Sequence, residues 1–247
     1  MLLAIQQGPA PVALKDIAAR AGMSPGQAHN YLTSFVRTDM LQTAGRGQYR
    51  LGPSLAALGL DALQGIDRYE VVQNEALRLR EAVRLGVVIS QWSDGLGPLY
   101  IWQKPGYPDR WGSFDMRSGP GKTVHTATGN VFLAWLDWHR VAPIAIEELR
   151  AEGMDANAAE QHLKSIRDRV LANGFAYQTL TELPGYAALC APIWDADCEL
   201  CFALTITGPE RWVDQRLGDT QVTELIRSTS TLSRIFGAPS NYWSLAH

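Results

Sequence analysis

The chain has 247 residues, 46% of them hydrophobic and 19% charged, with a formal net charge of −3. That length suits one large domain, or a small one joined to a larger one, and no apolar run approaches the roughly 18 residues that a membrane span needs. Three cysteines in a long chain (Cys190, Cys198 and Cys201) argue against a disulfide framework and for a reducing cytoplasm, while MLLAIQQGPAP lacks the basic start of a signal peptide.

Charge is unevenly spread. Residues 1–60 carry Lys15, Arg20, Arg37, Arg46 and Arg50 against Asp16 and Asp39, whereas the remainder holds 17 basic and 23 acidic residues. A mildly basic head on an acidic body is the footprint of a DNA reader fused to a second module.

Taken in order, Met1–Gln7 reads as the end of a helix stopped by Gly8-Pro9 and Pro11, short for a first helix that must cover two others. Leu14, Ile17, Ala18 and Ala21 recur at i, i+3, i+4 and i+7, one apolar helical face. Gly22 supplies a sharp turn, Ser24 an N-cap, Pro25 a first helical residue, and Gln27 the fourth member of a Ser-x-x-Gln capping box. In the helix that follows, Ala28, Leu32, Phe35 and Val36 face inward. The opposite face carries Gly26, Asn30, Thr33, Ser34 and Arg37, with Gln27 and His29 on its flanks. Amides, hydroxyls and a guanidinium without a carboxylate can read base edges and phosphates in a major groove. Met40–Thr43 and Gln48–Leu51 then form two strands around Ala44-Gly45-Arg46-Gly47. This hairpin is a wing, with Arg46 within reach of a phosphate or minor groove. Ser24, Gly26, Gln27, His29, Asn30, Thr33, Ser34, Arg37 and Arg46 are the candidate DNA contacts.

Leu51-Gly52-Pro53 closes this first domain (1–52). Ser54 caps a linker helix with Leu55, Leu58 and Leu63, ended by Gly65 (53–66). The second domain (67–247) opens with an amphipathic helix, Tyr69–Leu85. A hairpin follows, Val87–Trp92 and Pro98–Gln103, and a third strand is expected at Gly112–Arg117. A buried helix spans Asn130–Trp138, and further helices span Pro143–Glu152 and Asp155–Ala172. Strands are expected at Phe175–Thr179, Ala187–Trp194 and Leu200–Thr207, with a closing helix at Asp214–Phe236. Helices mixed with hairpins, rather than alternating with strands, give an α+β class: an antiparallel sheet flanked by helices.

A sensor cavity needs apolar volume and a few placed polar groups. The candidates are Trp92, Tyr100 and Trp102 on the hairpin, Thr126, Thr128 and Gly129 at the start of the buried helix, and Gln178, Ala188, Cys190, Thr205 and Thr207 on the later strands. The helix start offers amides to a carboxylate, and the aromatic hairpin points to an aromatic or apolar carboxylic acid. Cys198-x-x-Cys201 is half a zinc motif without a second pair or suitably spaced histidines, so no metal or cofactor is expected. An alternative is an enzyme acting on a small acid through Cys190 and His125, though no orienting third residue is apparent. Another is a sensor or adaptor without DNA affinity.

Four blocks in order, ALKDIAARAGMSPGQAHNYL, GQYRLGPSLAALGL, RSGPGKTVHTATGNVFLAWL and GFAYQTLTELPGYAALCAPIWD with ALTITGP, resemble the IclR family of bacterial transcriptional regulators. The resemblance implies an N-terminal winged helix-turn-helix followed by a GAF-like effector-binding and oligomerisation domain. It also implies a non-enzymatic regulator of a catabolic operon that binds a pseudopalindromic DNA operator as a homodimer or homotetramer under a small-molecule effector. Gln27, His29, Asn30 and Arg46 fall on the family's recognition helix and wing; Thr205 and Thr207 fall on cavity positions. Pro25 and Asn30 stand where relatives commonly carry lysine and arginine, and Gln178 where an acidic or serine side chain is usual.

Overall fold

The computed structural model describes residues 1–6, 10–55, 57–58, 67–107, 119–181, 183–214, 216 and 219–240. They divide into two compact units, Met1–Asp67 and Arg68–His247.

In the first unit, α1 (Leu2–Gln6) buries Ala4 and Ile5, and Arg20 donates to the Ala4 carbonyl at 3.0 Å. Helices α2 (Leu14–Arg20) and α3 (Pro25–Arg37) meet through a turn in which Gly22 has φ +66°, a conformation nearly free of cost for glycine. Ile17, Ala18, Ala28 and Leu32 are buried, as the periodicity requires. Strands β2 (Leu41–Thr43) and β3 (Gln48–Leu51) form the wing. A strand not expected from sequence, β1 (Val12–Ala13), adds to β3, so the order is β1-β3-β2. Two residues beside a proline carry too little alternation to be seen in advance.

The linker-helix expectation lies largely outside the described residues; 53–55 and 57–58 are helical. The third strand expected at 112–117 also lies outside them.

The second unit is built on a six-stranded antiparallel sheet ordered β6-β5-β4-β9-β8-β7. Its strands are β4 (Gly86–Ser93), β5 (Gly97–Lys104), β6 (Gly119–Pro120), β7 (Ala176–Thr179), β8 (Tyr186–Trp194) and β9 (Leu200–Pro209). One face carries α4 (Arg68–Val83) and the last helix, α8 (Thr220–Ile235), which pack on each other and on the strands. The other carries α5 (Ala127–Trp135), with α6 (Trp138–Ala151) and α7 (Ala156–Asn173) packed outside it. Every residue of α5 is buried, and it forms the centre of a core with Val141, Leu149, Leu163, Ile166 and Val170.

Helix boundaries differ from expectation where caps decide them. Thr126 and Asp137 cap α5 and α6 by accepting from the Gly129 and His139 amides. So α5 begins three residues before 130, and Pro143, expected to open α6, sits inside it. The closing helix starts at Thr220 rather than 214, because Asp219 caps it and a short 3₁₀ turn, Glu210–Trp212, follows β9.

Candidate functional site

Two surfaces follow from these elements. The first is the outer face of α3. Ser24 Oγ accepts from the Gln27 amide at 3.4 Å, while Gln27 Oε1 accepts from the Ser24 amide (3.2 Å) and hydroxyl (3.0 Å). Both residues therefore fix the helix start before either can touch a ligand. Thr33 and Ser34 donate to the His29 and Asn30 carbonyls at 2.9 and 3.1 Å, which leaves their lone pairs facing outward. Gly26, His29, Asn30 and Arg37 are exposed, and a side chain at Gly26 would meet open space. Arg46 is exposed at the wing tip between Gly45 and Gly47, both at positive φ. The wing is stiffened by the Arg50 guanidinium donating to Gln42 at 3.1 Å, and tied to α2 by the Leu14 amide donating to the Gly47 carbonyl at 2.8 Å. The structure thus puts the nine residues read from sequence on one helix start, one helix face and one turn. Ser24, Gln27, Thr33 and Ser34 already carry internal bonds.

The second is a partly enclosed cavity between α5 and the sheet, with a volume of about 30 Å³. Strand register explains its floor. Directly opposed residues share a face: Gln178 opposes Ala188, Ala188 opposes Thr207, Cys190 opposes Thr205, and Tyr100 opposes Ser90. Tyr100, Gln178, Ala188, Thr205 and Thr207 line the cavity from the sheet, Thr126 and Thr128 from the start of α5. Thr128 and Thr205 share a buried hydroxyl pair at 2.9 Å, and Thr207 donates to the Ala187 carbonyl at 3.1 Å. Thr126 accepts from the Gly129 amide and donates to the Lys122 carbonyl at 2.6 Å. That cap leaves the Ala127 and Thr128 amides, at the positive end of α5, available to an anion.

The loop that delivers these groups is held from both sides. The Glu148 carboxylate accepts from the Thr123 amide (2.7 and 3.0 Å) and the Val124 amide (3.0 Å). The Asn130 side chain, its amide nitrogen turned to the loop, donates to the Val124 and Thr123 carbonyls at 2.8 and 3.2 Å.

Four sequence candidates fall outside the lining. Trp102 opposes Ile89, out of phase with the Tyr100–Ser90 pair because of a bulge, and so lies on the other sheet face. Trp92 packs on Phe132 and donates to Asp94. Gly129 is a close-approach position: a Cβ there would sit 2.2 Å from the Thr123 carbonyl oxygen. Cys190 lies fully buried, opposite Thr205 on the neighbouring strand. Of the three aromatics that pointed to an aromatic acid, only Tyr100 reaches the cavity. His125, read from sequence only as a partner for Cys190, lines it too, as do Ala127 and Leu180, which the sequence did not single out. They sit in irregular segments or at a helix start, where no periodicity reports direction.

The Cys190/His125 reading fails on the same geometry. Burial pushes the Cys190 thiol up to about 12, far from a thiolate nucleophile, and His125 Nε2 stands 2.8 Å from Glu152. Among the described residues, no group of three or more His, Cys, Asp and Glu side chains could hold a metal, and no helix is long and apolar enough to cross a membrane.

Residues 1–45 match the model of the IclR helix-turn-helix domain, and residues 116–234 that of the bacterial transcriptional regulator IclR C-terminal domain. Among solved structures the chain is similar to Pseudomonas aeruginosa HmgR (23% identity, TM-score 0.73, covering 97% of this chain and 96% of that one). It is also similar to the Agobacterium tumefaciens repressor BlcR (16%, 0.68, 97% and 95%) and Thermotoga maritima IclR (18%, 0.55, 96% and 95%). At these identities the likeness is one of fold. No curated protein matches the chain.

Proposed function

Because this chain belongs to the IclR family of transcriptional regulators, which are not enzymes, we propose that it controls a small-molecule catabolic operon by binding a pseudopalindromic operator as a dimer or tetramer. Residues 1–52 act as the DNA-binding head, 53–66 as the linker, and 67–247 as the effector-binding and oligomerising body. Helix α3 of each protomer enters one of two major grooves about 10 bp, or a multiple of that, apart. Asn30, His29 and the lone pairs of Thr33 and Ser34 meet base edges; Arg37 and Arg46 meet phosphates; Ser24 and Gln27 hold the helix start that presents them. The observation that carries this reading is the exposed, carboxylate-free face of α3 beside an arginine-tipped wing.

The effector is a small carboxylic acid in the α5 cavity. Helix-start amides, four threonines, a tyrosine, a histidine and a glutamine amide share the lining with Ala127, Leu180 and Ala188, the mix of placed polar and apolar groups of a small-molecule site. Binding biases the spacing of paired heads, a population shift rather than a reaction.

The test is fluorescence anisotropy on the protein's own promoter DNA over a salt series. The variant carrying Arg37→Ala and Arg46→Ala should weaken binding and lower the salt slope by about two per protomer. Unchanged affinity and slope would remove α3 and the wing as the DNA reader.

A further inference from the structure

The cavity lining contains hydroxyls, an amide and apolar groups, and among its described residues no Asp, Glu, Lys or Arg. His125 is the one lining side chain that can carry a positive charge. Its Nε2 atom is shielded from water and lies 2.8 Å from Glu152 Oε1, yet without an aligned hydrogen bond. Glu152 is the residue that ends α6, and its side chain is 50% exposed against 28% for His125.

The two partners differ in freedom. His125 is flanked by Val124, whose amide is held by Glu148 and whose carbonyl is held by Asn130. On its other side Thr126 is fixed through the Lys122 carbonyl and the Gly129 amide. The imidazole therefore stays beside the cavity. Glu152 can swing into solvent at little cost, since a contact between partly exposed side chains contributes little.

We propose that His125 selects an anionic effector and that Glu152 is its built-in competitor: an acid entering the cavity takes over the imidazole that Glu152 now faces. His125 faces the chain's own Glu152 carboxylate at 2.8 Å, and the effector's carboxylate replaces it. The outgoing Glu152 regains full hydration, while the incoming acid gains His125 and the α5 amides together. A neutral analogue of the same shape cannot make that exchange, so Glu152 also acts as a filter against uncharged metabolites.

This inference rests on the reading of the cavity as the effector site, and the experiment separates the two. Calorimetric titration of the full chain would use acetate, lactate and benzoate, each against its primary amide. Wild type should prefer at least one acid over its amide. Glu152→Gln should raise that acid-to-amide ratio roughly two- to fivefold, the range released when a half-exposed pair is broken. His125→Gln should cut the ratio by about tenfold, the order expected for a charge-assisted bond. A ratio that is unity in wild type, or identical in wild type and both variants, overturns the proposal; so does an unchanged ratio in the surface-facing Glu152→Gln alone. Thr205→Val serves the underlying reading. If no probe binds wild type, or if binding is untouched by Thr205→Val, the cavity is not the acid site and the proposal falls with it.

Discussion

Replacing Glu148 by alanine should loosen the loop that delivers the cavity's polar groups. Its carboxylate accepts three short contacts from two backbone amides, Thr123 and Val124, and those residues are 0% and 3% exposed. An orphaned buried donor costs about 1–3 kcal/mol. Two donors give about 2–6 kcal/mol, and the lower half applies because Glu148 is itself only half-buried and water can follow it out. For a unit of this size, 1 kcal/mol moves the midpoint by about 2–4 °C, so about 2–4 kcal/mol lost in Glu148→Ala should lower Tm by about 4–16 °C. Glu148→Gln, which keeps one acceptor oxygen and sets its NH₂ against the other amide, should lie roughly midway. Thermal unfolding followed by near-UV circular dichroism gives the midpoint, and hydrogen exchange should show Thr123 and Val124 losing protection first. A Glu148→Ala midpoint within about 1 °C of wild type, with both amides still protected, would refute the assignment of Glu148 as the anchor of this loop.

Ser24→Ala removes the hydroxyl half of the capping box on α3, leaving the Ser24 amide on Gln27 Oε1, and should cost the head about 1 kcal/mol, read by urea unfolding; an unchanged midpoint would count against that cap. Burial raises the thiols of Cys190 and Cys201 from 9.0 to about 12, so the folded chain holds these protons more tightly than the unfolded one. Stability from these groups is fully present below about pH 9 and lost as pH rises towards 12. Iodoacetamide at about pH 8, below both thiols, should accordingly spare them in the native protein, with peptide mapping as the readout; rapid native labelling of Cys190 would contradict its burial.

Much of the head was legible in the sequence, because there the deciding forces are local. Ser24, Pro25 and Gln27 specify a helix start by themselves, and Ala28 and Leu32 specify its buried side. The wing followed from two glycines around Arg46. In the body, local rules went only part of the way. Pro143 looked like a helix opening, but Asp137 caps the chain earlier, and a proline six residues in is accommodated. The sheet face of each strand residue depended on partners far away in sequence. Trp102 could be placed only once its pairing with Ile89 and the adjacent bulge were known. Gly129 lay in the right block for a reason the sequence does not state: the loop crosses it too closely for any side chain. His125 was noticed but given the wrong partner: the group beside it is Glu152, at the end of α6, and not Cys190.

Helix α4 follows directly on the segment from the head, and it packs with α8 on the sheet face turned away from the cavity. A signal that ran from the proposed effector cavity to α4 through this packing would cross the sheet. The Thr128–Thr205 hydroxyl pair touches β9, and β9 is bonded to β4, on which α4 lies. Variants that mute the response while sparing both ligand affinity and DNA affinity should accordingly cluster in the two middle strands, whose side chains alternate between listener and messenger.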